Sequence, residues 1–125
     1  MPQIKLTETH LIIELKGYES ILAIKRRLAI PLSSIIKVEI EKENVAQLPR
    51  MRIGGFSAGK MFYGRFVTKV GRGFFATNDL SKSIAIFTHN YPYKVVVIKV
   101  HNNKLIEELR KRIKKVDNKE YSEYE

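Results

Sequence analysis

The sequence predicts a mainly β (α+β) domain, a small antiparallel barrel or sandwich with one helix packed on it. About seven short segments alternate apolar and polar residues, which is the period of a half-buried strand. One segment near the end carries its apolar residues at helical spacing instead. With 125 residues, of which 44% are hydrophobic and 29% charged, the chain is long and apolar enough for one globular core.

Three strands and one helical turn are predicted in the first part of the chain. The turn lies near residues 18–22, and the strand after it ends at Ile30 because Pro31 has no backbone N–H to donate. The apolar faces of the first and third strands consist of Leu11, Ile13, Leu15, Ile36, Val38 and Ile40.

Residues 43–60 are predicted to form the longest irregular stretch of the chain, because they contain a proline and three glycines. The glycines are Gly54, Gly55 and Gly59. Loops of this length are more often functional than passive. The bare backbone of residues 54–60 is also suited to an anion-binding nest of amide groups.

A hairpin is predicted next, with strands at 62–70 and 73–76 joined by a glycine-containing turn. Two further strands are predicted at 84–87 and 95–100, followed by a helix at about 103–116. The apolar stripe of this helix consists of Leu105, Ile106, Leu109, Ile113 and Val116.

The predicted domain occupies residues 1–116, and residues 117–125 are predicted to be an acidic, flexible tail. The formal net charge is +10, and because the tail carries −3, the preceding residues carry +13. A field of this sign attracts acidic protein surfaces, nucleic acid or anionic lipid. The other interpretation is that the charge only keeps the protein soluble.

An acid-free window, residues 44–78, runs for 35 residues without Asp or Glu and contains six basic residues. Six of the seven glycines and half of the aromatic residues lie in the same window. Positive charge, bare backbone and flat rings together suit an anionic or extended partner. The candidate binding residues in the window are Arg50, Arg52, Gly54, Gly55, Gly59, Lys60 and Arg65, and a second basic cluster contains Lys25 and Arg27. The second cluster also fits a solvated edge strand that resists aggregation.

No catalytic constellation is recognisable. Residues 54–61 miss a P-loop by one position, because Met61 stands where a hydroxyl group must bind magnesium. His10, His89 and His101 have no partner at metal-ligand spacing. We therefore expect a protein that is not an enzyme and that has no cofactor and no metal site.

The chain has no cysteine, and its longest apolar runs are too short to cross a bilayer. Its first five residues lack the apolar core of a signal peptide. We therefore expect a cytoplasmic protein, with peripheral membrane association as the alternative.

Two runs carry a resemblance: LAIKRRLAIPLSSIIKVE at 22–39 and PRMRIGGFSAGKMFYGRF at 49–66. Both resemble a family of small uncharacterised prokaryotic proteins with a pleckstrin-homology-like (PH-like) fold. In that family a basic strand leads into a Pro-Leu-Ser turn, and an Arg- and Gly-rich loop precedes a strand with a Gly-aromatic step. The resemblance covers about residues 8–112. It implies an open barrel of about seven antiparallel strands in two near-orthogonal sheets, capped by the C-terminal helix.

The leading interpretation is a non-catalytic interaction domain that binds a protein segment or an anionic surface through the basic Gly-rich loop. The alternatives are a peripheral membrane module on anionic lipid, a basic nucleic-acid-binding protein that has no known motif, and a homo-oligomer formed through sheet edges. The resemblance implies no activity, because the fold serves peptide, protein and lipid binding alike. Phosphoinositide recognition is not carried over, because the first hairpin loop, residues 16–19, is not basic enough.

Overall fold

The computed structural model describes residues 2–40, 44–45, 47–100 and 103–123, and in the last helix it describes the side chains of 104–114. The strands are β1 Gln3–Leu6, β2 His10–Glu14, β3 Arg27–Pro31, β4 Ile35–Glu39, β5 Pro49–Ala58, β6 Met61–Thr68, β7 Gly71–Thr77, β8 Ser83–Thr88 and β9 Val95–Lys99. The helices are α1 Tyr18–Ala23 and α2 Asn103–Glu123, and two 3-10 turns lie at Leu32–Ser34 and Leu80–Lys82. The prediction of a mainly β fold with two sheets and a C-terminal helix is confirmed.

The strands form a three-stranded sheet in the order β1-β2-β3 and a six-stranded sheet in the order β4-β8-β9-β7-β6-β5. Neighbouring strands are antiparallel except β7 and β9, which run parallel. The prediction that all strands are antiparallel is therefore wrong at this pair. The reason is the order of the strands. Strand β8 runs antiparallel to β7 but is not its neighbour, and β9, which turns back antiparallel to β8, lies between the two and therefore runs parallel to β7.

The described residues contain two strands in addition to the predicted set of about seven. Strand β1 has four residues and pairs along its whole length with β2. Strand β5 has ten residues and occupies most of the stretch that the sequence predicts to be a loop. Because of the second difference, the candidate site lies largely on a strand and not in a loop.

An inner core lies between the two sheets and the helices. Tyr63 and Phe74 from the six-stranded sheet are at most 1% exposed, and they belong to one cluster with residues of β2, β3 and both helices. The remaining buried members are Leu11, Ile13, Leu15, Ala23, Leu28, Ile30, Leu32, Ile35, Val38, Ala76, Ile84, Ile86, Val96, Ile98, Ile106, Leu109 and Ile113. The predicted face of the first strand fills this core, together with Ile106, Leu109 and Ile113 of the last helix, whereas the side chain of Val116 lies outside the described residues. The face predicted for the third strand is wrong at Ile36 and Ile40, which are exposed, because the register of β4 shifts between Ile35 and Lys37.

The other face of the six-stranded sheet carries a second apolar cluster. Successive residues of one strand divide between the clusters: Phe74 and Val96 face the inner core, whereas Phe75 and Val97 belong to the outer cluster. The outer cluster also contains Val45, Leu48, Phe66, Leu80, Ala85 and Val95. Because both faces are buried, β7 and β9 have unbroken apolar runs rather than alternating ones.

Helix α2 packs against β4 and the Leu32–Ser34 turn. The Arg110 guanidinium donates a hydrogen bond to the carbonyl oxygen of Val38 at 2.8 Å, and that of Arg112 donates to the carbonyl oxygen of Thr7 at 2.6 Å. The helix continues to Glu123 instead of ending near residue 116. The physical reason is that the sequence contains no Gly or Pro after Asn103, so nothing in residues 117–123 breaks the helix.

Candidate binding surface along strand β5

Strand β5 forms one edge of the six-stranded sheet. In the part of the chain that the structure describes, β5 pairs with β6 on one side and with no strand on the other. Its ten residues extend for roughly 30 Å at about 3.4 Å per residue. A free edge presents backbone N–H and C=O groups that no ladder uses, which makes it a template for another strand.

Two glycines explain why β5 is a strand and not a loop. Gly55 lies opposite Gly64 of β6, and both have φ of 121°. A Cβ on Gly55 would lie 2.0 Å from the carbonyl oxygen of Tyr63, and one on Gly64 would lie 2.2 Å from that of Gly54. The glycines thus allow a close backbone approach beside a register shift. The prediction of an irregular stretch over residues 43–60 is therefore wrong for Pro49–Ala58, and Gly54 and Gly55 of the segment suggested for an anion-binding nest are part of the β5–β6 ladder.

Residues 50–53 at the start of β5 are all exposed. Arg52 lies opposite Phe66 of β6, and Met51, which is 62% exposed, lies opposite Val67. Since cross-strand partners share a face of the sheet, the arginine and the methionine project to opposite faces. The edge therefore alternates cationic and apolar side chains, a feature that the loop interpretation of the sequence did not reveal.

The arginines of this edge have no acidic counterpart among the described residues. The three ion pairs found there lie on β1 and β2, within β4, and on α2. No described carboxylate comes within ion-pair distance of Arg50 or Arg52. Their charge is consequently available to a partner.

Arg65 joins the same edge from β6. It lies opposite Gly54, and its guanidinium Nη2 is 3.3 Å from the point where a Cβ on Gly54 would stand. Gly54 thus leaves room for the Arg65 side chain to extend across β5 on the face that carries Tyr63. The sequence prediction placed Arg65 and Gly54 in one site, and the structure brings them together.

Lys60 and Gly59 lie at the far end of β5, in the turn to β6. Gly59 has φ of 57°, which hairpin turns of two residues require, and the space around it is open. The carbonyl oxygen of Lys60 accepts a hydrogen bond from the Leu80 backbone at 3.0 Å. The pKa of Asp79 is lowered, first by its hydrogen bond from Ser81 and further by the nearby charge of Lys60. The structure therefore separates Lys60 from the Arg50 and Arg52 end of the edge.

Lys25 lies between α1 and β3, and Arg27 lies in β3 of the three-stranded sheet, so neither residue is part of β5. Arg27 is the first residue of β3 and lies opposite Glu14 of β2. Lys25 follows Ile24, the residue that ends α1. These cations are exposed, and they belong with the exposed side of α1 and not with the edge strand.

Helix α1 buries one side and exposes the other. Glu19 and Ala23 point inward, whereas Tyr18, Ile21 and Ile24 are 55%, 76% and 70% exposed. Ile24 also has φ of 57°, in the left-handed region that costs a β-branched residue about 1–3 kcal/mol. The sequence pattern does not predict this exposure of Ile21 and Ile24, because it does not show which elements cover them.

The aromatic residues of the acid-free window do not form a base-stacking platform. Tyr63, Phe66, Phe74 and Phe75 are each at most 2% exposed. Phe62 packs edge-on against Phe66, with ring centroids 5.5 Å apart. The aromatic contribution expected for a nucleic-acid surface is therefore absent from these described positions.

Neither a metal-binding cluster nor a membrane-spanning helix is found among the described residues. No group of three or more acidic or histidine side chains is placed there to hold a metal ion. No helix within the described residues combines the length and the hydrophobicity needed to cross a membrane.

Comparison with known proteins shows a family for this chain. Residues 9–113 match the family model described as Bacterial PH domain. No curated protein and no solved structure matches the chain. The matched segment contains β2 to β9 completely and reaches Ile113 in α2, so it covers most of both sheets. The chain therefore belongs to the bacterial PH domain family.

Proposed function

We propose that this domain is a non-catalytic interaction module that binds an extended, acidic segment of a partner protein along the edge of β5. The observation that supports this function is a free ten-residue edge whose arginines have no carboxylate partner among the described residues. PH-like domains in general serve protein or lipid interactions. A protein segment in extended conformation is the ligand that a free strand edge accommodates best.

The backbone supplies affinity and the side chains supply specificity in such a complex. An added strand would form main-chain hydrogen bonds with β5, and its side chains would alternate between the two faces of the sheet. Its residues beside Arg52 would be acidic, and its residues beside Met51 would be apolar. The preferred ligand is thus a segment that alternates Asp or Glu with apolar residues.

The charge of the edge also argues against pairing between two copies of β5. In a symmetric antiparallel pair centred on Met51, Arg50 would lie opposite Arg52 of the second copy, and like charges across strands are destabilising. An acidic strand removes this repulsion. The basic edge therefore favours a heterologous acidic segment over a homo-oligomer.

The test uses a fluorescently labelled synthetic peptide that alternates glutamate and valine, with anisotropy as the readout. Arg50→Glu with Arg52→Glu is expected to weaken binding by on the order of a hundredfold, because two attractions are replaced by two repulsions of up to about 1 kcal/mol each. The matched control is Lys111→Glu with Lys114→Glu, which makes the same charge change on exposed positions of α2. This control is expected to bind within a few-fold of the unaltered protein.

A second peptide tests whether the main chain takes part. The same sequence with alternate residues N-methylated keeps its charge but cannot donate hydrogen bonds to β5. It is expected to lose binding. Equal binding of both peptides, or equal effects of the two charge-reversal variants, would contradict strand addition and leave a diffuse electrostatic attraction.

A further inference from the structure

We infer that Arg65 determines which segment binds, by pairing with one carboxylate of the partner strand on the face of the sheet that carries Met51. The partner would have this acidic residue directly opposite Gly54, in addition to the acidic residues beside Arg52. The inference rests on the proposed function, because it requires a partner strand along β5. It goes further in naming a second arginine and a further acidic position that this partner must contain.

The position of Arg65 in β6 places its side chain on the inner face of the six-stranded sheet. Its cross-strand neighbour in β7 is Phe74, a fully buried residue of the inner core, and cross-strand neighbours share a face. Arg65 itself is exposed although Phe74 beside it is buried. The Arg65 side chain therefore extends away from β7 and toward the edge strand β5.

Gly54 provides the space in which the guanidinium group lies. It is the residue of β5 opposite Arg65. The Nη2, Nε and Cζ atoms of Arg65 lie 3.3, 3.8 and 4.0 Å from the point where a Cβ on Gly54 would stand. The side chain of β6 thus occupies the place that a side chain at position 54 would otherwise fill. Its charge is brought to the edge of the sheet by this arrangement.

A strand added to β5 would bring one of its side chains within reach of this guanidinium. Residues directly opposite each other on neighbouring strands have Cβ atoms about 5 Å apart. An aspartate or glutamate opposite Gly54 would reach Arg65 without meeting another side chain, because glycine has none. Arginine presents two parallel N–H donors to a carboxylate, so the pair is directional as well as charge-assisted.

Arg65 and Arg52 act on opposite faces of the sheet. Arg52 lies opposite Phe66, which belongs to the outer cluster. In a regular strand residues 52 and 54 would share a face, but the register shift between Arg52 and Gly54 places them on opposite faces. The partner strand therefore meets one arginine on each face. A segment that alternates acidic and apolar residues strictly would satisfy only the Arg52 face.

The charge of Arg65 is not neutralised by the part of the chain that the structure describes. The three ion pairs formed there lie on β1 and β2, within β4, and on α2. An apolar partner residue opposite Gly54 would cover the guanidinium and separate its donors from water, which is unfavourable. A carboxylate at this position would accept from the same donors. The partner residue that fits opposite Gly54 is therefore acidic.

The experiment compares three labelled peptides by fluorescence anisotropy. The first alternates glutamate and valine, the second has one central valine replaced by glutamate, and the third carries the additional glutamate after its last residue. Because the alternating sequence repeats every two residues, the second peptide can shift along β5 until its central glutamate lies opposite Gly54. It is expected to bind on the order of tenfold more tightly than the third peptide, which has the same charge.

Two variants test whether Arg65 causes this difference. Arg65→Gln removes the charge, and Gly54→Val fills the space of the guanidinium. In both variants the second and third peptides are expected to bind within about twofold of each other. The matched control is Arg72→Gln, which removes the same charge from an exposed position of β7, a strand that does not adjoin β5. This control is expected to keep the tenfold difference.

Both variants are expected to fold. Arg65 is exposed, and Gly54 is not among the glycines with positive φ. The three atoms nearest to the Cβ position of Gly54 all belong to the flexible Arg65 side chain, so valine displaces that side chain and not the backbone. Valine is also favoured in strands. The unaltered affinity of both variants for the first peptide, within a few-fold, checks that β5 is intact.

The outcomes separate this inference from the proposed function. Equal binding of the second and third peptides to the unaltered protein would overturn the inference and leave strand addition at β5 intact. A difference that persists in Arg65→Gln or in Gly54→Val, or that is lost in Arg72→Gln, would overturn it as well. Failure of all three peptides to bind would contradict the proposed function itself, and the inference with it.

Discussion

Replacing Gly64 by alanine is expected to disrupt the β5–β6 ladder and with it the proposed binding edge. The added Cβ would lie 2.2 Å from the carbonyl oxygen of Gly54 and 2.8 Å from the Cα of Gly55, so the two strands would have to move apart. The φ of 121° also lies in a region that alanine rarely adopts. Strain of about 1–3 kcal/mol and the loss of two ladder hydrogen bonds at about 1 kcal/mol each give a total of about 3–5 kcal/mol.

A loss of this size is a large part of the stability of a typical domain, which is about 5–15 kcal/mol. Urea unfolding followed by circular dichroism measures it directly. The control is Gly59→Ala in the same hairpin, where the φ of 57° remains unfavourable but no atom lies within 4 Å of the new Cβ. This control is expected to lose only about 1 kcal/mol. If Gly64→Ala costs no more than Gly59→Ala, the close approach of β5 and β6 is refuted.

Three further substitutions test the strain at Ile24, the burial of Tyr63 and the exposure of the β5 arginines. Ile24→Gly is expected to raise the free energy of unfolding by about 1 kcal/mol, because glycine adopts the left-handed conformation without strain. In a thermal scan, Tm is expected to rise by roughly 4 °C. An unchanged or lower Tm would contradict the strain at Ile24. Burial, with a smaller contribution from the charge of Glu19, raises the pKa of Tyr63, so the phenol stays protonated in the folded state while the unfolded chain ionises near pH 10. Stability is therefore complete below about pH 10 and declines above it, and Tyr63→Phe is expected to reduce the decline seen in urea midpoints; an equal decline in that variant would exclude Tyr63 as the cause. Arg50→Glu with Arg52→Glu is expected to leave Tm within about 2 °C of the original value, because both side chains are exposed, and a large drop in Tm would mean that the arginines serve the fold.

The sequence was sufficient for the elements whose burial follows from local periodicity. The alternation around Leu11 and Ile13, and the helical stripe that includes Leu109, describe faces that pack on the inner core as predicted. The parallel pairing of β7 with β9 was not predictable in this way, because it depends on contacts between strands that are distant in the chain. The same holds for the outer cluster, which requires the segment near Val45 and Leu48 to cover the sheet.

Composition indicates the segment that carries the candidate site, but it does not indicate the geometry of that segment. Residues such as Gly54 and Gly55 are typical of loops, and their use in a close approach to β6 becomes visible only when Gly64 is opposite them. Arg50 and Arg52, which the sequence suggests as binding residues, are exposed, whereas composition gives no indication of the exposed Met51 between them. The exposure of Ile21 and Ile24 could not be read from a pattern in which isoleucine indicates burial.

The most direct test of the central proposal is an NMR titration of the isotopically labelled domain with the alternating glutamate–valine peptide. Strand addition predicts that the largest amide shift changes fall on Pro49–Ala58, excluding the proline, and that nuclear Overhauser contacts join peptide Hα atoms to the backbone of β5. Shift changes confined to α1 or α2, or changes on β5 without contacts to the peptide backbone, would contradict the proposal that this edge receives an acidic strand.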